Sequence, residues 1–227
     1  SVGLAARRVD RMESVAAEIE QRGGKAVVCP CDVGDRADVV AAVNKTEREL
    51  GPVDLLVANA GMSILTHVKA FDSAGVEQVL RVNFLGAVYA VEATLPGMLE
   101  RQSGQLVAMG SIAGYGGLPK TAAYSASKGA MHNFFESLSV DLRGTGVDVT
   151  IITPGYIKTE LTDQNRHHMP FLVELDPAVQ RIAEASARRK KHLAFPRPLS
   201  TAVWLAQMLP APWYHALAAR VKRKKAE

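Results

Sequence analysis

An α/β fold, with a mostly parallel sheet covered by helices on both faces, is what this sequence predicts, and three observations predict it. Short apolar runs alternate with stretches of helical period throughout the first 155 residues. The runs themselves, such as Leu55 to Ala58, are continuously apolar, as strands buried on both faces are. The 227 residues are 48% hydrophobic and 22% charged, which is the balance of a globular chain.

Taken in order, Val2 to Ala6 reads as a strand. Met12, Val15, Ala16 and Ile19 then recur at helical spacing until Gly23-Gly24 ends the helix. Lys25 to Cys29 is the next strand. Asp35 is a natural N-cap for a helix whose stripe is Val39, Val40, Val43 and Leu50, closed by Gly51-Pro52. After the strand Leu55 to Ala58 comes a helical stretch from about Ser73 to Glu100. A strand from Gln105 to Met109 follows, then a Gly-rich loop, a helix from about Ala122 to Arg143 and a strand from Val147 to Thr153. Beyond residue 160 the rhythm changes. Pro177 to Arg189 looks helical, His192 to Phe195 is a last short strand, and Leu199 to Met208 and Trp213 to Arg223 are Pro-bounded helices. Without a linker or an internal repeat, residues 1–227 read as one domain, with 161–227 as a covering segment and a basic helical tail.

Strands joined by helices at this spacing predict right-handed crossovers in a three-layer α/β/α arrangement, and such sheets bind ligands beyond the carboxyl ends of their strands. The residues expected on that edge are Arg7-Arg8, Asp32-Val33, Asn59-Ala60-Gly61, Gly110-Ser111 and Pro154-Gly155-Tyr156.

Several function classes are disfavoured. The longest apolar run, Phe84 to Val91, is followed at once by Glu92, far short of the roughly eighteen uncharged residues of a membrane span. Cys29 and Cys31 flank a single proline and offer no disulfide framework, and no metal-ligand spacing accompanies them. No metal is expected; the six histidines, Lys69 and Lys120 read as surface or filler. The net charge of +4 resides in the tail: Arg181 to Glu227 holds eleven Lys or Arg against two acids, leaving residues 1–180 net acidic. The clusters Arg188-Arg189-Lys190-Lys191 and Lys222-Arg223-Lys224-Lys225 read as a solvated helix end and a frayed terminus. Nucleic acid is not an expected partner, because no stacking aromatics accompany these charges. Weak peripheral membrane contact by the tail stays open.

Tyr124 and Lys128 are four apart in a predicted helix and therefore share a face. A phenol is a poor acid or base near neutrality, but an adjacent ammonium favours phenolate and makes a usable proton donor. Such a pair alone is a weak signal. Ser111, just beyond a strand, places a hydroxyl where it can hold a carbonyl oxygen. Asn83 stands where the stripe Val76, Val79 and Leu80 calls for an apolar residue, so its amide either caps a bent helix or organises a polar network. The Gly110-to-Gly114 segment is not a nucleophile elbow, and Gly114 to Pro119 lacks the helix start of a dinucleotide fingerprint.

Together these residues resemble the short-chain dehydrogenase/reductase family. The similarity runs from about Val2 to Leu161, with the motifs in the family's order: Cys31-Asp32-Val33, Asn59-Ala60-Gly61, Asn83, Ser111, Tyr124-x-x-x-Lys128, and Pro154-Gly155 followed by Thr159. The resemblance implies a Rossmann-type doubly wound sheet and hydride transfer between a nicotinamide cofactor and a carbonyl or secondary alcohol. It makes Tyr124 the general acid/base, Ser111 the residue orienting the substrate oxygen, Lys128 the group that lowers the tyrosine pKa and holds the nicotinamide ribose, and Asn83 the holder of a relay water. It also places Asp32 and Val33 at the adenine, Asn59, Ala60 and Gly61 along the adenosine ribose, and the Ile157 backbone with Thr159, after Pro154-Gly155, at the carboxamide.

Where such enzymes carry an acid for the ribose hydroxyls of NAD, this chain has Ala5-Ala6-Arg7-Arg8. Two guanidiniums suit a 2′-phosphate, so NADP(H) is expected in preference to NAD(H). The family's opening strand and its Thr-Gly-x-x-x-Gly-x-Gly turn have no counterpart here. A fragment lacking about 30 to 40 residues is therefore expected, with two inner strand edges left unpaired. The segment containing Tyr156, His167, His168, Met169, Phe171 and Leu172 is expected to cover a moderately hydrophobic substrate. A homodimer or homotetramer and a cytoplasmic location complete the expectation. The remaining readings are a catalytically silent binding module on the same fold, or a membrane or nucleic-acid binder acting through the tail.

Overall fold

The structure is a computed structural model describing residues 1–163 and 169–220. His167, His168 and the Lys222–Lys225 cluster lie outside the described residues. In chain order the elements are β1 (Val2–Ala6), α1 (Val9–Gln21), β2 (Ala26–Pro30), α2 (Arg36–Leu50), β3 (Leu55–Ala58) and α3 (Ser73–Leu80). A π-helical turn (Arg81–Leu85) leads directly into α4 (Gly86–Glu100), followed by β4 (Gly104–Met109) and a 3₁₀ turn (Ile112–Gly114). Then come α5 (Ala122–Asp141), β5 (Val147–Pro154), α6 (Glu160–Asp163), α7 (Leu175–Ala187), β6 (His192–Phe195), α8 (Arg197–Ala206) and α9 (Ala211–Ala219).

Local chemistry accounts for the ends of these elements. Asp35 caps α2 by accepting from the backbone N–H groups of Ala37 and Asp38, and Gly51, at φ 89°, closes it in a conformation that favours glycine. Gly146, at φ 82°, brings the backbone against Gln102 on entering β5.

All strand pairs are parallel, and they fall into two sheets, β1–β2 and β3–β4–β5–β6, separated at the two inner edges that the sequence reading expects to be unpaired. β1 pairs only with β2, and β3 only with β4. Their other edges face a cleft of about 1170 Å³ lined by Val2, Gly3, Ala5 and Ala6 on one side and Leu55 to Ala58 on the other. This corrects the expectation of a fully buried third strand: Leu55 is 46% and Val57 47% exposed, because no neighbour covers that edge.

The main core lies on one face of the larger sheet. Ala87, Val91 and Met98 of α4 and Met131 and Phe135 of α5 pack on Leu106, Ala108, Val149 and Ile151. The alternate residues Val107 and Ile152 face the other way, onto Ala178 and Ala185 of α7. Thus α5 and α7 cover opposite faces although β4, β5 and β6 advance in one direction. The two crossovers have opposite hands, and the uniform right-handed rule predicted from sequence does not hold for the long β5-to-β6 excursion.

The continuous helix Ser73–Glu100 is long and apolar enough to cross a membrane by length and composition. Here it packs on β3, β4, α2 and α5, with the buried amide of Asn83 near its middle.

Phe135 is fully buried at the centre of the main core. Phe135→Ala is expected to cost about 3–5 kcal/mol of stability; equilibrium urea unfolding checks it, and a cost below about 1 kcal/mol would place the core elsewhere.

Candidate active site

Asn83 sits in the π-helical turn, where the helical register slips by one residue. Its side chain explains the placement. Oδ1 accepts from the Met62 N–H at 2.7 Å, while Nδ2 donates to the Met62 carbonyl and to Ser127 Oγ, each at 2.9 Å. Ser127 in turn donates to the Tyr124 carbonyl at 2.8 Å. Both sequence alternatives therefore apply: the amide sits at a local helix distortion and organises a network. Its side-chain hydrogens are taken by protein acceptors rather than offered to a water.

Ser111, two residues past the end of β4, caps the 3₁₀ turn by accepting from the Ala113 N–H at 3.2 Å. Just before it, Gly110 lies against β5: a Cβ there would stand 2.9 Å from the Ile152 carbonyl oxygen. Gly114 sits on α5, where a Cβ would lie 2.7 Å from the carbonyl carbon and oxygen of Lys128. These two glycines let the Ser111 loop press onto the helix that carries Tyr124 and Lys128.

Ser111 hydrogen-bonds the Tyr124 phenol in the sense that favours phenolate, but burial is the larger influence and pushes the phenol above its ordinary value. Lys128 is 4% exposed, and burial pushes its ammonium down to about 8. Its Nζ donates to the Met109 carbonyl at 2.6 Å and stands 5.9 Å from the centroid of the Tyr124 ring. The expected lowering of the phenol by Lys128 is therefore not what this geometry produces. The ammonium is directed to a backbone oxygen at the end of β4, and the tyrosine is governed by desolvation.

Gly61 touches this group from the other side. A Cβ on it would make ordinary contacts with Asn83 Oδ1 at 3.5 Å and Lys128 Nζ at 3.7 Å. Through Gly61 this cluster meets the cleft, whose lining brings together Arg7, Arg8, Asp32, Val33, Asn59, Ala60 and Gly61. The lining does not include Pro154, Gly155, Ile157 or Thr159. These follow β5: the Gly155 N–H donates to the Phe195 carbonyl at 2.7 Å, and Thr162 Oγ1 donates to the Ile157 carbonyl at 2.6 Å. Thr159 Oγ1 lies 3.4 Å from Thr162 Oγ1.

Residues invisible to sequence reasoning join these parts. Glu160 pairs with Arg11 and, at 3.2 Å, with Arg8, and the two guanidiniums hold its carboxyl below the usual range. This ties the end of β1 to the residue after Thr159. Arg8 is thereby engaged, while Arg7 is exposed and makes no ion pair or side-chain hydrogen bond among the described residues. Nothing local in the sequence marks Glu160, Met62 or Ser127. Their roles come from contacts far apart in the chain.

A parallel α/β sheet with polar residues gathered beyond its strand ends, beside a Ser-Tyr-Lys group, is a Rossmann-like arrangement. The profile of the short chain dehydrogenase family matches residues 1–170, and the chain belongs to that family. It is 38% identical over 221 residues to an uncharacterized oxidoreductase of Myxococcus xanthus (strain DK1622), covering 97% of this chain and 87% of that protein. A ketoacyl reductase, HetN, of Nostoc sp. is 33% identical over 68% of this chain and 54% of its own length. The 11-beta-hydroxysteroid dehydrogenase 1A of Arabidopsis thaliana is 39% identical over 71% of this chain, which spans under half of that relative, 46%. Among solved structures, a gluconate 5-dehydrogenase from Burkholderia cenocepacia J2315, in complex with NADP and tartrate, superposes with a TM-score of 0.74. It is 23% identical over 84% of this chain and 82% of its own. That likeness shows the Rossmann-like fold.

Burial of Lys128 has a measurable sign. Its folded pKa lies below the unfolded value, so the unfolded state holds more protons between pH 8 and 10.5, and this group's contribution to stability rises across that window. Removing the charge in Lys128→Met is expected to give at least wild-type stability at pH 7. The variant's advantage should then shrink by about 3 kcal/mol as pH rises toward 10.5. Urea unfolding of both proteins from pH 7 to 10 checks this, and a difference independent of pH would contradict it.

Proposed function

We propose that this protein transfers hydride between a nicotinamide cofactor, NADP(H) in preference to NAD(H), and a carbonyl or secondary alcohol, with Tyr124 as the general acid/base. The observation that carries the reading is the convergence of Ser111, Tyr124 and Lys128 at the point where Gly61 joins them to the cleft.

The residues present fit such a cofactor. Arg7, which has no ion pair among the described residues, would offer its guanidinium to a 2′-phosphate; Asp32 and Val33 would hold the adenine, and Asn59 to Gly61 the ribose. Gly61 permits close approach to the Lys128 ammonium, which the reading assigns to the nicotinamide ribose. The Ile157 backbone and Thr159, following Pro154-Gly155, are assigned to the carboxamide. When bound, the nicotinamide supplies or accepts the hydride. The rest belongs to the chain. Ser111 holds the substrate oxygen and favours the ionised form of Tyr124, and Tyr124 delivers a proton to that oxygen in reduction or removes one in oxidation. Burial of the phenol keeps it protonated near neutrality, which suits the reductive direction.

The substrate proposed is moderately hydrophobic. Residues 171–173 fold back onto 156–158, with Val173 N–H donating to the Tyr156 carbonyl at 2.9 Å, and Phe171 and Leu172 remain exposed. Assembly as a homodimer or homotetramer through the helices that carry Asn83 and Tyr124 belongs to the same proposal.

Tyr124→Phe is expected to reduce turnover by about 10²–10⁴-fold while cofactor affinity holds. Steady-state NADPH oxidation with a panel of apolar ketones, alongside NADPH fluorescence titration, tests it; a variant retaining a tenth of wild-type rate would remove Tyr124 from the role.

Arg7→Glu is expected to weaken NADPH binding at least tenfold with little effect on NADH. Fluorescence titration with both cofactors measures the ratio. Equal losses for the two would place Arg7 away from the 2′ position.

A further inference from the structure

Away from the cleft, α5 and β6 bring two imidazoles and a carboxylate together. His132 and Glu136 are one helical turn apart on α5, and His192 opens β6. His132 Nδ1 lies 3.7 Å from Glu136 Oε1, and His192 Nε2 lies 3.4 Å from the same oxygen. One ligand atom from each residue falls within 4.8 Å of the other two. Donors bound tetrahedrally at 2.0–2.1 Å from a metal stand about 3.3–3.4 Å apart, so two of these separations are already near bonding geometry.

The surroundings prepare His132 as a ligand. Its Nε2 lies 3.2 Å from Thr153 Oγ1, and the Thr153 hydroxyl bonds the Tyr115 phenol in the sense that favours phenolate. If Thr153 gives its hydrogen to Tyr115, it accepts from His132 Nε2–H, which leaves the Nδ1 lone pair facing Glu136. Ligating histidines are commonly held in this way through the second ring nitrogen. His192 and Glu136 are partly solvent-exposed, so an ion has a path in and a water can take the fourth position.

We infer that His132, Glu136 and His192 form a site for a divalent zinc-like cation that staples the catalytic helix α5 to β6. Two imidazoles and one carboxylate suit zinc, and they disfavour magnesium and calcium, which take oxygen ligands. The staple has a positioning consequence. The far end of β6 carries the Phe195 carbonyl that accepts from Gly155, so the ion would connect the helix of Tyr124 and Lys128 with the turn after β5.

The test uses the full chain stripped of metal with a chelator and titrated with Co²⁺, then Zn²⁺. The expected result is one equivalent of cobalt with visible bands of a four-coordinate N/O site, displaced by zinc, and a rise in Tm with zinc. Glu136→Gln and His192→Ala, both at exposed positions, should each weaken zinc at least tenfold by calorimetry and abolish the Tm shift. A His67→Ala, His215→Ala double variant should leave both unchanged. Absence of saturable binding at micromolar zinc, or binding that survives Glu136→Gln and His192→Ala, would overturn the site and leave Glu136 as an ion-pair partner of the imidazoles. Either result is independent of the oxidoreductase reading, since none of these measurements uses cofactor or turnover.

Discussion

The side-chain amide of Asn83 is the interaction on which the arrangement of the site depends. It is 1% exposed and makes three hydrogen bonds, two to the backbone of Met62 and one to Ser127. Met62 lies in the loop that begins at Asn59, and Ser127 lies between Tyr124 and Lys128. One amide thus fixes the cleft loop to α5, from a helix whose register shifts by one residue to reach both. Replacing it by an apolar residue of similar size leaves a backbone N–H, a backbone carbonyl and a hydroxyl competing for partners in a dry interior. Each unmade bond there carries a desolvation penalty of about 1–3 kcal/mol.

The same burial sets the electrostatics of the reacting groups. The Tyr124 phenol moves up and the Lys128 ammonium moves down, each toward its neutral form. A tyrosine activated chiefly by a neighbouring ammonium would move down instead. Two features of the site oppose that outcome: the Lys128 ammonium donates to the Met109 carbonyl, and burial is the largest influence on the phenol. Only the Ser111 hydroxyl favours phenolate.

Most strands and helices were legible because their signals are local: the Asp35 cap, the Gly51-Pro52 stop and the apolar stripe of α2 lie within twenty residues. Ser111, Tyr124 and Lys128 were legible through spacing and order, and Asn83 because an amide interrupted a stripe. What stayed hidden depends on contacts distant in sequence. The pairing of Arg8 and Arg11 with Glu160 spans about 150 residues and has no local mark. His192 meets Glu136 only because β6 lies beside β5 and α7 crosses on the face opposite α5. Apolar content predicted Leu55 and Val57 to be buried, but composition cannot report whether a neighbouring strand covers an edge.

Because cleft residues come from both sheets, their geometry depends on what holds the sheets together. Two candidates are visible between α2 and α4. Arg36 makes two hydrogen bonds to Glu92, at 2.8 and 2.6 Å, but both side chains are about half exposed. Exposed pairs of this kind contribute about 0–1 kcal/mol and are screened by salt. Beside them Tyr89 and Ala90 of α4 pack against the cluster of Val27, Cys29, Val39 and Ala42. Gly86 admits Val33 so closely that a Cβ would lie 2.8 Å from its carbonyl oxygen. Burying even two or three such side chains is worth several kcal/mol at about 25 cal/mol per Å². The apolar seam therefore outweighs the ion pair, and Arg36–Glu92 serves register more than strength. By the same reasoning, Gly86, itself on the cleft lining, sets how closely Val33 lies against α4, since any side chain there would press on Val33.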